Sequence, residues 1–524
     1  MSSNTQGQRQ GPGNGEGHAH HPTADELAAE TWADESPAAE TPAARPSDDG
    51  PAHATRLEHD SLGEVLVPAD RLWGAQTERS RLNFRIGTDR MPLEVIRAMA
   101  LVKVAAATAN RDLGRLPQEK ARAIIAVARE IVAGGLDEEF PLAVFQTGSG
   151  THTNANVNEV IANRANLRLG SALGSNRPVH PSDDVNMSQS SNDTFVTAMH
   201  VAAYTAAVES LIPELSALRN ALREKSQAWS HVVKVGRTHL MDATPLTVGQ
   251  EWSGYDAALS DSIEALGAAA AGLLAVALGG TAVGTGVNAP PGFTDLAVEA
   301  LAEAAGHPFV PAPNPFAAQA TLDPLVRAHA AMKGVAVTLF KIGNDLRWAA
   351  SGPRAGLREL RIPANEPGST IMPGKTNPTQ VEALLQVCVA VMGNDVAVAM
   401  AGAEGNFELN VFRPLVIDTF LRSARLLHDA SHSLRIHLIE GARLNGRTLQ
   451  RYLADSVMVI TALAPVIGYE AAARAAHVAI EEDLTVREAM ARTGLDPRLA
   501  DNLTDQALGA PASEAQPAQP SADH

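Results

Sequence analysis

One cysteine in 524 residues, Cys388, excludes an intrachain disulfide and any thiolate-held iron–sulfur cluster. Aromatic side chains are scarce at 4%, and Ala, Leu and Val dominate, which favours closely packed helices over sheet. Positive charge is the minority sign: 42 Lys and Arg face 59 Asp and Glu, a net charge of −17. A field of that sign is ill suited to holding nucleic acid or an anionic membrane, so an anionic ligand must be small and met by a few converging cations. The first thirty residues have neither a basic n-region nor an apolar h-region, so no secretory signal is expected, and the setting expected is cytoplasmic and reducing. Only Ala265 to Thr294 runs without charge for longer than a membrane span. Its Ala and Gly content, the Gly279-Gly280 pair, Pro290 and Pro291 predict a buried helix followed by a Gly-rich loop.

In chain order, residues 1–54 are Gly, Pro, Ala, Glu and Asp with few large apolar groups. They cannot bury enough surface to offset ordering entropy and are expected to form a disordered acidic tail. His18, His20 and His21 lie in it with no second cluster to complete a metal site. Alternation and turn residues from Leu62 to Trp73 suggest short strands. Helical periodicity begins at Leu93 and continues to Asn110, with Val95, Ile96, Met99, Val102 and Lys103 in the pattern; a second helix spans Glu119 to Ala133. Five long helices follow: Thr197 to Trp229, Leu246 to Leu278, Leu322 to Ala350, Val381 to Met400 and Leu415 to Ile439. The third has Leu325, His329, Met332, Ala336, Leu339, Gly343 and Leu346 along a nearly heptad seam. Helices this long, apolar on more than one face, need more neighbours than one chain supplies, and a homo-oligomer with a shared helical core is expected. Three shorter helices, Thr448 to Val466, Tyr469 to Glu482 and Val486 to Arg492, make a small C-terminal domain, and the chain from Ala510 is again Pro- and Ala-rich. The expected divisions are 1–54, 55–187, 188–446, 447–509 and 510–524.

Four stretches are dense in small polar residues and poor in anything that packs. They are Gln146–Asn156, His180–Asp193, Gly236–Pro245 and the loop Gly368-Ser369-Thr370-Ile371-Met372-Pro373-Gly374-Lys375-Thr376-Asn377-Pro378. The last ends in Gly-Lys-Thr, as a P-loop does, but five residues separate its glycines where that motif has four, and no apolar strand leads into it. Each of the other three is expected where a helix starts or ends, with backbone N–H groups free to meet an anion. Ser, Thr, Asn and Asp are also the ordinary N-caps, so any one cluster alone reads as capping. Four of them, one with a His and one with a Lys, point to a shared anion site.

These stretches resemble the signature regions of the fumarase/aspartase superfamily, most closely those of class II fumarase, over about Arg56 to Leu508. Ser190-Ser191-Asn192-Asp193, Met372-Pro373-Gly374-Lys375 before Pro378-Thr379-Gln380, and Gly405 to Phe412 are fumarase-like. Thr370 and Thr376 stand where Ser and Val are common, Met241 where Gln is usual, and Ser182 where Asn is usual. The resemblance implies a mainly α, three-domain lyase whose central five-helix bundle assembles into a homotetrameric core, with composite active sites and neither metal nor cofactor.

It further implies reversible anti elimination of water from (S)-malate to give fumarate. Ser369 would be the base and His239 the acid, acting through a water, with Glu382 orienting the imidazole. Ser149, Gly150, Thr151, Ser190, Ser191, Asn192, Thr238, Thr370, Lys375, Thr376 and Asn377 would bind the substrate. Arg177, His180, Ser182 and Asp183 correspond to a secondary dicarboxylate stretch. Two other readings stay open: an aspartate ammonia-lyase on the same fold, and a non-catalytic scaffold that kept the helices.

Overall fold

The computed structural model describes residues 54–368 and 371–500. The tails expected over 1–54 and 510–524 fall outside the described residues, apart from Ala54, and so do Ser369 and Thr370. The chain opens with a hairpin, β1 (Thr55–Asp60) and β2 (Gly63–Pro68). Four helices follow: α1 (Ala75–Asn83), α2 (Leu93–Asp112), α3 (Gln118–Val132) and α4 (Thr151–Arg168). A rod is then built from α5 (Ser191–Thr205), a π turn and α6 (Ile212–Ala228). A second hairpin, β3 (Val233–Thr238) and β4 (Met241–Thr247), leads into α7 (Val248–Ala271).

Short strands β5 (Ala275–Val276) and β6 (Val310–Pro311) flank α8 (Phe293–Ala305), and α9 (Pro315–Ala320) precedes α10 (Asp323–Ala350). Then come β7 (Leu360–Arg361), α11 (Thr379–Ala403), β8 (Gly405–Asn406), β9 (Leu409–Asn410) and α12 (Arg413–Leu434). β10 (Arg443–Leu444) pairs antiparallel with β7, and α13 (Gly446–Asp455), α14 (Ala464–Ile467), α15 (Tyr469–Glu481) and α16 (Val486–Arg492) finish the chain. The fold is mainly α.

The five predicted long helices are present, as the α5–α6 rod, α7, α10, α11 and α12. Every residue of the predicted seam on α10 is buried. Direction is fixed by a few contacts. Tyr255, early in α7, donates to Asp345, late in α10, at 3.0 Å, and Ser262 meets Thr338 at 2.9 Å, so α7 and α10 run antiparallel. Gly343 near the end of α10 faces Val381, Leu384 and Leu385 at the start of α11, where an added Cβ would sit 3.2–3.3 Å from their methyls. At the other end, Gly402 of α11 lies against Val326 of α10. α10 and α11 are therefore antiparallel too, packed closely because glycine replaces a side chain at both crossings.

Gln146–Asn156 meets a helix start, as expected: α4 begins at Thr151, and its asparagines Asn154, Asn156, Asn158, Asn163 and Asn166 are buried. Their amides bond the segments around the helix; Asn166 alone exchanges two 2.8 Å bonds with Val179 backbone. Two expectations need correction. Gly236–Pro245 lies at no helix boundary but forms the β3–β4 hairpin. The helix predicted buried from Ala265 has only Leu266 and Ala270 buried before α7 ends at Ala271, though the Gly-rich loop follows as expected.

His200 on α5 is fully buried and ties the bundle to the end of α7, its Nδ1–H facing the carbonyls of Leu273 at 3.1 Å and Ala275 at 3.0 Å. Burial pushes its pKa down to about 4, so the fold favours the neutral ring. The unfolded chain then binds the extra proton between pH 6.5 and 4, and stability falls as pH drops through that window, by an amount on the order of 3 kcal/mol. His200→Asn, which keeps an N–H for the carbonyls but does not titrate, is expected to flatten the acid limb of a Tm-against-pH curve over this range.

Candidate active site in two halves

The first half forms where α4 and α5 begin. Gly150 caps α4 with φ of 78°, and a Cβ there would lie 2.3 Å from the Phe195 ring, so glycine is required on both counts. Gly148 is equally constrained: its Cβ would fall 1.6 Å from the carbonyl oxygen of Val411. The turn these glycines allow sets Ser149 Oγ 2.7 Å from Thr151 Oγ1, which in turn is 2.7 Å from Ser191 Oγ. Two sequence clusters forty residues apart thus share one hydroxyl chain between two helix N-termini, each carrying partial positive charge. Ser190 is the N-cap of α5 in a capping box with Asp193, and the Asn192 amide donates to the Ala282 carbonyl at 2.8 Å. Both of those side chains already have structural partners.

Beneath these hydroxyls lie three buried charges, of which the motifs include only Asp193. Asp193 accepts from the N–H groups of Ser190 at 2.9 Å, Gly279 at 2.9 Å and Thr281 at 3.0 Å. Lys103, fully buried, donates to the side-chain oxygens of Asn154 at 2.7 Å, Asn186 at 2.9 Å and Gln189 at 3.0 Å. Burial pushes Lys103 down to about 7, opposed by the charge of Asp193, and pushes Asp193 up to about 6, opposed by its three backbone hydrogen bonds and the charge of Lys103. Arg413, also fully buried, donates to Asn192 O at 2.8 Å and Gln319 O at 2.6 Å, fixing the first turn of α5. A lysine at an apolar register position of α2 was the visible sign of such a network.

The second half gathers at the opposite end of the bundle. Thr238 and His239 sit at the tip of the β3–β4 hairpin, where His239 (φ 55°) and Leu240 (φ 61°) both adopt the left-handed conformation of a tight two-residue turn. Both are exposed, and among the described residues His239 has no side-chain partner. The Gly368–Pro378 loop enters α11 at the same end. Its mouth is pinned by Asn377, whose Nδ2 donates to Gly368 O at 2.9 Å, and by Gly368 itself, where a Cβ would lie 1.8 Å from Lys375 O. Lys375 and Thr376 are exposed, and so is Glu382 on the first turn of α11. Within the chain Glu382 and His239 are not hydrogen-bonded.

The two halves do not meet. Asn410 donates to Ala401 O at 2.9 Å, Gly405 packs on Ala320, and Arg413 joins Gln319 to Asn192, so the Ser149–Thr151–Ser191 half lies beside the C-terminal end of α11. Glu382 and the loop lie at its N-terminal end, and α11 has 25 residues. At about 1.5 Å per residue that helix is roughly 37 Å long.

The secondary stretch is local. Pro181–Val185 is a π turn whose N–H groups at Ser182 and Asp183 donate to His180 Nδ1 at 3.2 and 3.1 Å, so the ring proton sits on Nε2. Asp183 Oδ2 is 3.4 Å from the same nitrogen, and Arg177 lies three residues upstream of His180.

The fold and its polar clusters span the stretch that a known family covers: residues 63–393 match the family model described as Lyase. Residues 459–508 match a second, described as Fumarase C C-terminus. Among named relatives, a fumarate hydratase class II of Thermosynechococcus vestitus is 56% identical over 440 residues, covering 84% of this chain and 94% of that protein. One of Myxococcus xanthus is equally similar, at 56% over 440 residues. The solved structure of a class II fumarase from Schistosoma mansoni superposes with a TM-score of 0.84 at 38% identity, covering 87% of this chain and 98% of that one. The chain belongs to the class II fumarate hydratase family.

Among the described residues the Thr151 hydroxyl meets only Ser149 and Ser191, and the residue is exposed, so the binding role expected of it separates from its part in folding. Thr151→Val is expected to leave Tm nearly unchanged while lowering kcat/KM by roughly 10–100-fold, a loss of one or two charge-assisted hydrogen bonds.

Proposed function

We propose that the protein catalyses the reversible hydration of fumarate to (S)-malate, as a homotetramer whose active sites are completed between copies. The observation that carries this reading is that the family's motif residues form two groups at opposite ends of α11, a 25-residue helix roughly 37 Å long. If both groups act on one substrate, they must come from different chains. The apolar surface is consistent with that: Val389, Val396 and Met400 form an exposed stripe along α11. Three helical segments, Ser191–Ala228, Val248–Leu274 and Thr379–Ala403, are long and apolar enough by length and composition to cross a membrane, and a core shared between copies would cover that surplus. In this proposal residues 188–446 supply the core, 55–187 and 447–509 flank it, and the protein is cytoplasmic.

The difficult step is removal of a weakly acidic proton from the carbon beside a carboxylate. It becomes accessible only when the developing dianion meets preorganised positive charge and donors. Lys375 is the cation of the loop, and the hydroxyls of Ser149, Thr151 and Ser191 at two helix N-termini are the donors for the substrate's other carboxylate. Ser369 takes the proton; its alkoxide form depends on the loop N–H groups and on Lys375. On the opposite face His239 gives a proton, through a water, to the departing hydroxyl, so that water leaves and fumarate remains. Glu382 orients that imidazole.

The reaction is tested by incubating the protein with malate and, separately, with aspartate. Fumarate absorbance is expected to rise with malate alone, and a rise with aspartate alone would reassign the leaving group to ammonia. The shared site is tested by complementation. Thr151→Val and His239→Asn proteins, each expected to keep no more than about a tenth of wild-type turnover, are denatured together and refolded as a mixture. Hybrids contain some sites with both halves intact, and recovery of about a quarter of wild-type turnover is the expected yield for two-chain sites. No recovery from assembled hybrids would show that each chain acts alone.

A further inference from the structure

Glu359 belongs to none of the polar clusters, yet its carboxylate joins the two catalytic arms of the second half. It is almost fully buried, with Oε2 2.9 Å from Lys234 Nζ and Oε1 2.7 Å from an Arg237 guanidinium nitrogen. Lys234 also donates to Glu251 on α7 at 2.7 Å, and the Arg237 guanidinium lies 5.7 Å from the centre of the Tyr452 ring. Oε1 has no aligned N–H donor, so Arg237 is held to it by charge at close range.

Both cations are on strand β3, three residues apart, and in a regular strand such positions face opposite sides. The strand is not regular there. Its register with β4 shifts between Val235 and Arg237, at Gly236, where a Cβ would lie 2.6 Å from Thr244 O. That bulge turns Lys234 and Arg237 to the same side, toward Glu359. Arg237 is directly followed by Thr238 and His239. Glu359 directly precedes β7, and its own carbonyl accepts from Asn445 N at 2.9 Å. From β7 the chain runs through Pro363, which packs on Gly441, and Asn365, which donates to His437 O at 3.0 Å, into the Gly368–Pro378 loop.

We infer that Glu359 is a positioning residue for the dehydration: by bridging Lys234 and Arg237 it sets the hairpin that carries Thr238 and His239 against the stem of the Gly368–Pro378 loop. The inference rests on the proposed reaction. Glu359 is far from the substrate-binding hydroxyls of Ser149, Thr151 and Ser191, at the other end of the bundle, so its loss misplaces the acid and the loop without touching that half.

The test compares wild type, Glu359→Gln, Arg237→Lys and the double variant, each for kcat and KM on malate, Tm and oligomeric state. Glu359→Gln is expected to lower kcat about 10–100-fold, the cost of displacing a reacting group by around an ångström. KM is expected to stay within about threefold, and the double variant to lose no more than the worse single one. A kcat within about twofold of wild type, multiplicative losses, or a kcat loss that only tracks a collapse of Tm or assembly overturns the inference. If Glu359→Gln does not fold, Arg237→Lys decides it: reduced kcat at retained Tm supports the bridge, and wild-type kcat overturns it. A wild-type protein that turns over neither malate nor aspartate overturns the proposed reaction and the inference with it; an active wild type with an unaffected Glu359→Gln overturns the inference alone.

Discussion

A 25-residue α-helix is a rigid spacer, and nearly everything about this protein's chemistry follows from α11 being one. Its C-terminal end is fastened to the hydroxyl-bearing turns through Asn410, Gln319 and Arg413. Its N-terminal end carries Glu382 and receives the loop with Lys375. No loop motion on the scale of a few residues closes that gap. In the proposed reading catalysis and assembly are therefore one problem, because the surface that would complete a site is the surface that would join the copies.

The helices were legible in the sequence because periodicity over twenty or more residues is hard to mimic. The seam of α10, from Leu325 to Leu346, is buried at every predicted position. α4 was legible only as a helix boundary near Gln146–Asn156. Its length was not, because Asn154, Asn156 and Asn158 are poor helix formers whose amides find partners on α2 and in the surrounding loops. The β3–β4 hairpin was missed for a similar reason: His239-Leu240 is an unusual pair for a turn that needs two left-handed residues, and nothing local announces it. The sequence pointed to the four polar stretches as one site. That a single chain divides them was implied by the resemblance alone, since spacing along a sequence carries no information about which end of a bundle a segment reaches.

Buried charge is used differently in the two halves. Below the hydroxyls, Lys103 and Asp193 are each surrounded by neutral amide oxygens or backbone N–H groups, so each charge is met by three short hydrogen bonds and the turns around it are fixed from inside. At the hairpin, charge meets charge directly, Lys234 and Arg237 on Glu359, with fewer directional constraints. The first arrangement suits a rigid anion-binding floor. The second keeps two arms together while leaving their tips, His239 and Lys375, exposed.

Cys388 has a use beyond the disulfides it cannot form. It is fully buried on α11, and burial pushes its thiol up to about 12, so the folded protein presents no reactive sulfur. Alkylation of that one thiol therefore counts openings of the helical core, one event per molecule. The same inertness leaves the surface a blank background on which an introduced cysteine, at the hairpin tip or on the loop, would carry a probe to a single known place.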